Sequence, residues 1–277
     1  MKVKKVLSAI RQKYFSGNDN LEKTTLCGVP LQTIRGTVRK KIDQDDAWFF
    51  HLAKHSEVIF DIGSNIGFSA LLAMIQNPSR KYILVDPNPL ALSQAAKNLF
   101  VNSFGTNANF YSAFVSNKNQ DEIKFYTVGN GAAGSMYKSH AETAAILDTY
   151  FWVKTITLDS LVAHYNVKPN LIKIDVEGAE SLVLEGAKEL ATDVKPKFIV
   201  EMHALQELSM EKNTKKVLDW CKEVNYSAWY LKEGKAVTDP SHFANRGRCH
   251  LLLLPSSSGY PKYLENIGQS SNLPSNL

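Results

Sequence analysis

A glycine-rich turn follows one predicted strand of this sequence. It reads Asp61-Ile62-Gly63-Ser64-Asn65-Ile66-Gly67, and its glycines allow the backbone to turn tightly and a bulky ligand to approach the main chain. Asn65 is predicted to cap the helix that follows. The turn contains neither the Gly-Lys-Ser/Thr of a phosphate loop nor the GxGxxG of dinucleotide folds. We therefore expect a ligand without phosphates at this turn.

Asp86 stands at the end of the next predicted strand, about 25 residues beyond Asp61. A carboxylate there can accept hydrogen bonds from both hydroxyls of a ribose, which predicts an adenosine-type cofactor. The alternative is that Asp86 only begins a turn before Pro87 and that the glycines are ordinary turn residues. On the first interpretation, the predicted cofactor-binding residues are Asp61, Gly63, Ser64, Asn65, Gly67, Asp86, Pro87 and Asn88.

A second group of acidic residues lies in the run Lys173-Ile174-Asp175-Val176-Glu177-Gly178-Ala179-Glu180. Lys173 and Asp175 share one side of a predicted strand, so Asp175 is expected to face the cleft at the strand ends. There it can hold a substrate hydroxyl, act as a base, or join Glu177 and Glu201 around a divalent cation. The alternative is that these acids serve the start of the following helix, and we favour this role for the last glutamate of the run. We expect no required metal.

His203 follows Glu201 on the same side of a predicted strand. Imidazole is the side chain best suited to removing a proton near neutral pH, so His203 is the leading candidate for a general base. The alternative is an ordinary polar residue after a strand. The predicted catalytic residues are His203, Asp175 and Glu201.

Short apolar runs alternate with helical patterns from 57 to 255, which predicts an α/β fold. Five strands joined by crossovers should precede a terminal antiparallel pair, making a sheet of seven. In such a sheet the ligand lies outside the carboxyl ends of the strands. The strands are expected at 58–62, 82–86, 109–114, 171–175, 198–202, 227–231 and 250–254.

The sequence divides into three predicted parts. These are an N-terminal extension at 1–44, a domain at 45–255, and a flexible tail at 256–277 that is rich in Ser, Asn and Pro. The segment from about 116 to 157 breaks the alternation of strands and helices. We expect it to be an insertion that packs over the strand ends.

Composition excludes several classes of protein. With 44% hydrophobic and 21% charged residues, the chain is globular and neither disordered nor a coiled coil. A net charge of +5 is too small and too scattered to indicate a nucleic-acid binder. The cysteines lack CxxC spacing, which predicts no disulfide framework and a cytoplasmic location. No apolar run approaches the roughly 20 residues of a membrane span.

Five motifs follow one another at 60–67, 85–89, 157–161, 172–180 and 199–201. In this order they resemble the signatures of FkbM-type S-adenosylmethionine-dependent methyltransferases. The run at 172–180 is the most specific part, whereas many methyltransferases share the glycine turn. The resemblance covers roughly 45–255. It implies a Rossmann-like fold of seven strands, S-adenosylmethionine as cofactor, and methylation of sugar or polyketide hydroxyls.

On this resemblance, we expect an O-methyltransferase that acts on a hydroxyl of a carbohydrate or glycosylated small molecule, and not on a nucleic acid. The insertion carries Tyr137, His140, Tyr150 and Trp152 but few basic residues, whereas nucleic-acid binding requires a stripe of Lys and Arg. Two alternatives are a nicotinamide-dependent oxidoreductase and a protein that binds a cofactor without turnover.

Overall fold

The structure is a computed structural model that describes residues 21–127, 135–136 and 146–277. Its strands are β1 (Leu21–Leu26), β2 (Val29–Ile34), β3 (Val58–Ile62), β4 (Lys81–Val85), β5 (Ala108–Tyr111), β6 (Phe114–Val115), β7 (Gln120–Tyr126), β8 (Tyr150–Ile156), β9 (Leu171–Ile174), β10 (Lys197–His203), β11 (Tyr226–Tyr230), β12 (Lys235–Val237) and β13 (Arg248–Pro255). Its helices are α1 (Asp46–Lys54), α2 (Phe68–Met74), α3 (Pro89–Phe100), α4 (Leu158–Tyr165), α5 (Glu180–Glu185), α6 (Lys188–Asp193) and α7 (Met210–Glu223).

Eight of these strands form one large sheet in the order β12-β11-β13-β10-β9-β3-β4-β5. Neighbouring strands are parallel along the series β10, β9, β3, β4 and β5. By contrast, β13 runs antiparallel to both β10 and β11. The predicted α/β fold with a mostly parallel sheet is confirmed, and β12 adds an eighth strand to the predicted seven. Three residues are too few for β12 to show a strand period in the sequence.

Alternation along the central strands divides the core into two clusters of buried residues. In β3, Ile59 packs into one cluster, and Phe60 and Ile62 pack into the other. The cluster of Ile59 includes residues of α1, α2 and α3, and the opposite cluster includes residues of α4 to α7. Helices therefore cover both faces of the sheet, so a ligand can reach it only at the strand ends.

The glycine turn lies at the switch point of the sheet. β3 pairs with β4 on one side and with β9 on the other. The strands that follow β3 directly in the chain, β4 and β5, lie on one side of it, and the later strands of the large sheet lie on the other side. At such a point the loops after neighbouring strands diverge and leave a crevice. Apart from Asp61, which lies within β3, the predicted site residues of the first half of the chain follow β3 or β4 at this crevice.

The predicted insertion at about 116–157 supplies β7 and β8 of a second sheet, whose order is β6-β8-β7. Phe114, Phe125 and Val153 of this sheet cluster with Ala179, which follows β9. The second sheet thus packs beside the turn after β9, and the bounds of the insertion stay a prediction. Tyr137 and His140, which we expected near the acceptor, lie outside the described residues.

Both ends of the described chain pack against the core. The β1–β2 hairpin buries Leu26. Near the other end Leu264 is buried, and the indole of Trp48 donates a hydrogen bond to the carbonyl of Ile267 at 2.7 Å. The expectation of a flexible tail at 256–277 is therefore wrong, because isolated apolar residues anchor a segment whose composition alone indicated none. The bounds of the three predicted parts stay a prediction.

The sequence predicts neither a disulfide framework nor a membrane span. Cys27, Cys221 and Cys249 are buried as free thiols. Among the described residues, none of the helices combines the length and the apolar character needed to cross a lipid bilayer.

Candidate active site

Two clefts meet at the carboxyl ends of the central strands. The first cleft has a volume of about 600 Å³ and is lined chiefly by Gly63, Asn65, Asp86, Pro87, Asn88, Phe114, Val115, Phe125, Asp175 and Glu177. The second cleft has a volume of about 970 Å³ and is lined chiefly by Gly36, Arg39, Asp43, Asp45, Asp46, Gly63, Ser64, Asn65, Lys173, Asp175, Glu177, Glu201 and Arg248.

Asp86 lines the first cleft with both carboxylate oxygens held by backbone donors. Oδ2 accepts from the N–H of Asn65 and Oδ1 from the N–H of Asn88, both at 2.8 Å. Each oxygen keeps a further lone pair for a hydroxyl donor. Burial raises the pKa of Asp86 to about 7, although these two N–H groups favour the ionised form. The geometry suits the predicted role of Asp86 toward a ribose.

Pro87 and Asn88 also line the first cleft. The side-chain oxygen of Asn88 accepts from the N–H groups of Leu90 and Ala91, so it caps α3. Because this oxygen caps the helix, Asn88 can make the predicted contact with the cofactor only through its other atoms.

Gly63 brings the ends of β3 and β9 together. Its φ of 84° lies in the left-handed region, and a Cβ at this position would collide with the carbonyl oxygen of Asp175. Only glycine therefore fits here without a shift of backbone. Because Gly63 has no side chain, the main chain of the turn lines the first cleft directly, and a ligand can contact it there.

Gly67 and Asp61 support the turn, and neither lines a cleft as the described residues define it. Gly67 precedes α2 with φ 83°, and a Cβ there would come within 2.9 Å of the Cβ of Ala95 in α3. Asp61 is fully buried, and its Oδ2 accepts from the hydroxyls of Ser69 and Tyr82. Both residues were predicted to bind the cofactor. The structure instead gives them packing and hydrogen-bonding roles within the protein.

Asn65 does not cap α2, contrary to the prediction from the sequence. The residue before α2 is Gly67, and no side chain caps the helix. Asn65 itself has φ 46°, and its side-chain oxygen is buried with no hydrogen-bond partner among the described residues. The hydroxyl of Ser64, which lines the second cleft, is in the same condition. Buried polar atoms are usually satisfied, so these two atoms beside the clefts are exceptions among the described residues.

An adenosine-type cofactor fits the first cleft. Phe114, Val115 and Phe125 supply apolar surface of the kind that a purine ring covers. Asp86 supplies the carboxylate for a ribose, and the turn at Gly63 supplies main-chain groups beside them. The cleft therefore offers a separate surface for each part of such a cofactor.

The second cleft is dominated by charge. Asp175 and Lys173 pair within it, with Lys173 Nζ at 2.9 Å from Asp175 Oδ2. Burial alone would lower the pKa of Lys173, but Asp175 and Asp45 raise it above its ordinary value. Lys173 therefore stays charged and balances these carboxylates.

Glu201 lies among three cationic or basic groups at the same cleft. Arg248 Nη1 donates to its Oε1 at 2.7 Å, and Nε2 atoms of His203 and His250 lie 3.5 and 3.4 Å from its carboxylate. Burial would raise the pKa of Glu201, but the two imidazoles and Lys173 hold it well below its usual range. Glu201 is therefore ionised and a weak base.

His203 lies behind the carboxylates and is not among the described residues that line either cleft. Its Nδ1 is 2.9 Å from Glu180 Oε1, and its Nε2 is 3.5 Å from Glu177 Oε2. Burial would lower the pKa of His203, but hydrogen bonds with Glu180 and Glu201 raise it to about 11. The imidazole is thus protonated at neutral pH. This corrects the sequence prediction of His203 as a base in contact with substrate.

Sequence analysis missed several residues of the second cleft, which come from outside the strand ends. Arg39 donates to Asp43 at 2.8 Å and also to Asp46, while Arg248 reaches Asp43 at 3.1 Å. The dense run of charged residues at 39–46 was a signal in the sequence. Its partners lie in β9, β10 and β13, so only the fold shows what the run surrounds.

Within the described part of the chain, two groups of side chains have atoms close enough together to hold a metal ion. Within each group the ligand atoms lie within 4.8 Å of one another, and the groups are Asp45, Glu201 and His250, and Asp175, Glu177 and His203. Lys173 and Arg248 already supply positive charge to these carboxylates. The expectation that no metal is required stays a prediction.

Comparison with solved structures found methyltransferases. The methyltransferase FkbM from Methylobacillus flagellatus KT has 16% identity and a TM-score of 0.44 over 72% of this chain and 43% of that one. The O-methyltransferase TomG from Streptomyces achromogenes has 11% identity and a TM-score of 0.43 over 76% of this chain and 79% of that one.

A curated relative and a family give closer comparisons. The hexuronic acid methyltransferase AglP from Haloferax volcanii is 29% identical over 153 residues, which are 55% of this chain and 58% of AglP. The chain thus spans less than two thirds of the length of this relative. The methyltransferase FkbM domain matches residues 61–228, from the glycine turn to β11. The chain therefore belongs to the FkbM family of methyltransferases, whose cofactor is S-adenosylmethionine.

Proposed function

We propose that the chain is an O-methyltransferase that acts on a hydroxyl of a carbohydrate or glycosylated small molecule. The observation that carries this proposal is the second cleft, which is rich in carboxylates and guanidinium groups and adjoins the first cleft at Gly63, Asn65, Asp175 and Glu177. A polyhydroxylated acceptor presents many donors and acceptors to such a surface. AglP, whose name gives a hexuronic acid as its substrate, supports the carbohydrate class.

In this proposal the first cleft holds S-adenosylmethionine, which supplies an electrophilic methyl group when bound. Asp86 accepts the ribose hydroxyls, and the main chain at Gly63 and Asn65 orients the rest of the cofactor beside the second cleft. Ser64 lines the second cleft next to this main chain. Holding both reactants in one geometry is the largest contribution that a protein can make to such a transfer.

The acidic cluster around β9 and β10 handles the proton of the acceptor hydroxyl. Asp175 and Glu201 line the second cleft and can accept hydrogen bonds from the acceptor. His203 acts through these carboxylates, because it lies behind them and carries a proton at neutral pH. In this proposal, Asp175 and Glu201 contact the acceptor, and His203 acts on it indirectly through the carboxylates.

The family places methyl transfer ahead of the nicotinamide-dependent oxidoreductase alternative. A protein that binds the cofactor without turnover is the remaining rival. The test is to incubate the chain with S-adenosylmethionine labelled in its methyl group, together with separate glycan, small-molecule, RNA and protein fractions. We expect label in the glycan or small-molecule fraction. Label only in RNA or protein would reject the proposed acceptor, and binding without transfer to any fraction would favour the rival.

A further inference from the structure

Four residues line both clefts, as far as the described residues show: Gly63, Asn65, Asp175 and Glu177. A hydroxyl in the second cleft can meet a group in the first cleft only where the two join, so the proton must leave near these residues. Two of the four carry carboxylates. Asp175 Oδ2 accepts from Lys173 Nζ at 2.9 Å. Glu177 Oε2 lies 3.5 Å from Nε2 of His203, which is a longer and therefore weaker ion pair, so Glu177 is the better placed of the two to receive a proton.

Glu177 has a backbone conformation that is costly for its residue type. Its φ is 52°, and the following Gly178 has φ 104°. The hydroxyl of Ser135, on the insertion, donates to the Glu177 carbonyl at 3.1 Å. A non-glycine residue in the left-handed region persists where its surroundings hold it, and such residues cluster at functional sites. The turn after β9 thus holds Glu177 at the junction of the clefts against a local cost.

Behind Glu177, the imidazole of His203 is fixed from its other side. Its Nδ1 lies 2.9 Å from Oε1 of Glu180, a side chain with no exposed surface. Glu180 also accepts from the N–H of Gly178 at 2.8 Å and from Asn213 Nδ2 at 3.0 Å. Both of these groups can only donate, so the Glu180 carboxylate is the acceptor in each bond, and Nδ1 of His203 is assigned as a donor to it.

The ring therefore presents Nε2 toward two carboxylates that line the second cleft, Glu177 at 3.5 Å and Glu201 at 3.5 Å. Asn213 Nδ2 also donates to the carbonyl of His203 at 3.1 Å, which fixes the backbone that carries the ring. Glu180 and Asn213 thus set the position of the imidazole, and the imidazole limits where the Glu177 carboxylate can lie.

We propose that Glu177 accepts the proton of the acceptor hydroxyl, and that His203 and Glu180 are positioning residues for Glu177. The proposal rests on the methyl-transfer function proposed above. The acceptor oxygen forms its bond to the methyl carbon while the bond from that carbon to sulfur breaks, with the electron pair going to sulfur. The hydroxyl proton passes to a carboxylate oxygen of Glu177, so charge and atoms balance.

The first test compares Glu177→Gln with wild type in the acceptor fraction that wild type labels. Removing a general base lowers turnover by about 10²- to 10⁴-fold, so we expect kcat to fall at least about 100-fold. Binding of S-adenosylhomocysteine, measured by calorimetry, should change less than about twofold, because the amide of glutamine has nearly the size and shape of the carboxylate that it replaces in the first cleft. The matched control is Glu211→Gln, at an exposed position of α7, which should keep full turnover.

Glu177→Asp keeps a carboxylate at this position. It is included because Glu177→Gln could lose turnover through a folding defect. We expect it to retain more turnover than Glu177→Gln. Equal loss in both variants, or a kcat for Glu177→Gln within about threefold of wild type, would overturn the assignment. Loss of S-adenosylhomocysteine binding in Glu177→Gln would also overturn it, since the residue would then serve the cofactor.

The positioning role is tested with Glu180→Gln. We expect kcat to fall about tenfold with little change in the acceptor KM. An unchanged kcat, or an acceptor KM that rises as much as kcat falls, would show that Glu180 is only structural. If wild type itself labels no glycan or small molecule, the proposed function fails; if it labels one and Glu177→Gln labels it equally, the inference alone fails. A wild type that labels no fraction at all overturns both.

Discussion

The backbone N–H of Asn65 donates to Asp86 Oδ2 at 2.8 Å, which ties the turn after β3 to the acid after β4. The bond crosses the first cleft's edge between two neighbouring parallel strands. A change in the charge of Asp86 therefore alters the strength of its hydrogen bond to the turn as well as its hydrogen bonds to a ligand.

The first prediction concerns the pH dependence of cofactor binding. Burial raises the pKa of Asp86 to about 7, and an ionised carboxylate accepts stronger hydrogen bonds than a neutral one. We expect the Kd of S-adenosylhomocysteine to fall as the pH rises from about 6 to about 8. Isothermal titration calorimetry measures this. Asp86→Asn should bind more weakly and without this pH dependence, and the same dependence in both proteins would contradict the role of Asp86.

The same shift has the opposite sign for the stability of the unliganded protein. Because the pKa of Asp86 is higher when folded than the ordinary 3.8, the folded state binds more protons between these values. The free energy of unfolding contributed by Asp86 therefore falls as pH rises from about 4 to about 7. Urea unfolding at several pH values should show a smaller fall for Asp86→Asn than for wild type.

The second prediction compares two glycines that share a backbone conformation. At Gly36, with φ 86°, a Cβ would have no other atom within 4 Å, whereas at Gly63, with φ 84°, a Cβ would collide with the Asp175 carbonyl. Alanine in the left-handed region costs about 1 to 2 kcal/mol. We expect Gly36→Ala to lose about that much free energy of unfolding and Gly63→Ala at least about 1 kcal/mol more, since overpacking adds to the strain. Equal losses in urea unfolding would show that the turn can relax.

The third prediction concerns Arg80, which is buried and donates to three backbone carbonyls. Its Nε and Nη2 bond the carbonyls of Ser56 and Ala53 at 2.7 and 2.6 Å, and Nη1 bonds that of Ala73. Arg80→Met leaves these acceptors buried without donors, so we expect a loss of about 3 kcal/mol or more in urea unfolding. The control is Arg35→Met, whose exposed side chain should change stability by about 0.5 kcal/mol or less. A loss as small as the control would mean that water replaces the guanidinium.

The fourth prediction concerns metal removal. Lys173 and Arg248 already pair with the carboxylates of Asp175 and Glu201, so a divalent cation would have to compete with these side chains. We expect turnover to be unchanged after exhaustive chelation and gel filtration. Recovery of a chelated, inactive protein on addition of magnesium would overturn this expectation.

The elements of the large sheet could be predicted from sequence because their signals are local. The residues of β3 and β4 show the apolar runs of buried strands, and the glycines after β3 mark the turn directly. Asp86 could be placed at the first cleft for the same reason, since a strand end fixes its position. Such residues depend on their neighbours in sequence and on the rule that ligands bind at strand ends.

Tertiary contacts decide what could not be predicted. Arg39 and Arg248 meet at Asp43 although more than 200 residues separate the two arginines, and nothing in the local sequence indicates that contact. His203 lies at the end of β10, where the sequence predicts it. However, Glu177 and Glu201 lie between its ring and the clefts, and its acidic neighbours raise its pKa so that the ring is protonated. Glu180 begins α5 and accepts from the N–H of Gly178, as expected of an acid at a helix start. Its carboxylate also contacts the ring of His203, which the local sequence does not indicate.

The hydrogen bond from Trp48 to Ile267 joins residues 219 positions apart in the chain. Trp48 belongs to α1, whose first turn carries Asp46 into the second cleft. During synthesis this bond forms only after Ile267 has left the ribosome, long after the glycine turn and the parallel strands are available to fold. The residues that line the first cleft lie between 62 and 177, whereas the second cleft also uses Arg248. The second cleft is therefore complete only when the last part of the described chain has been synthesised.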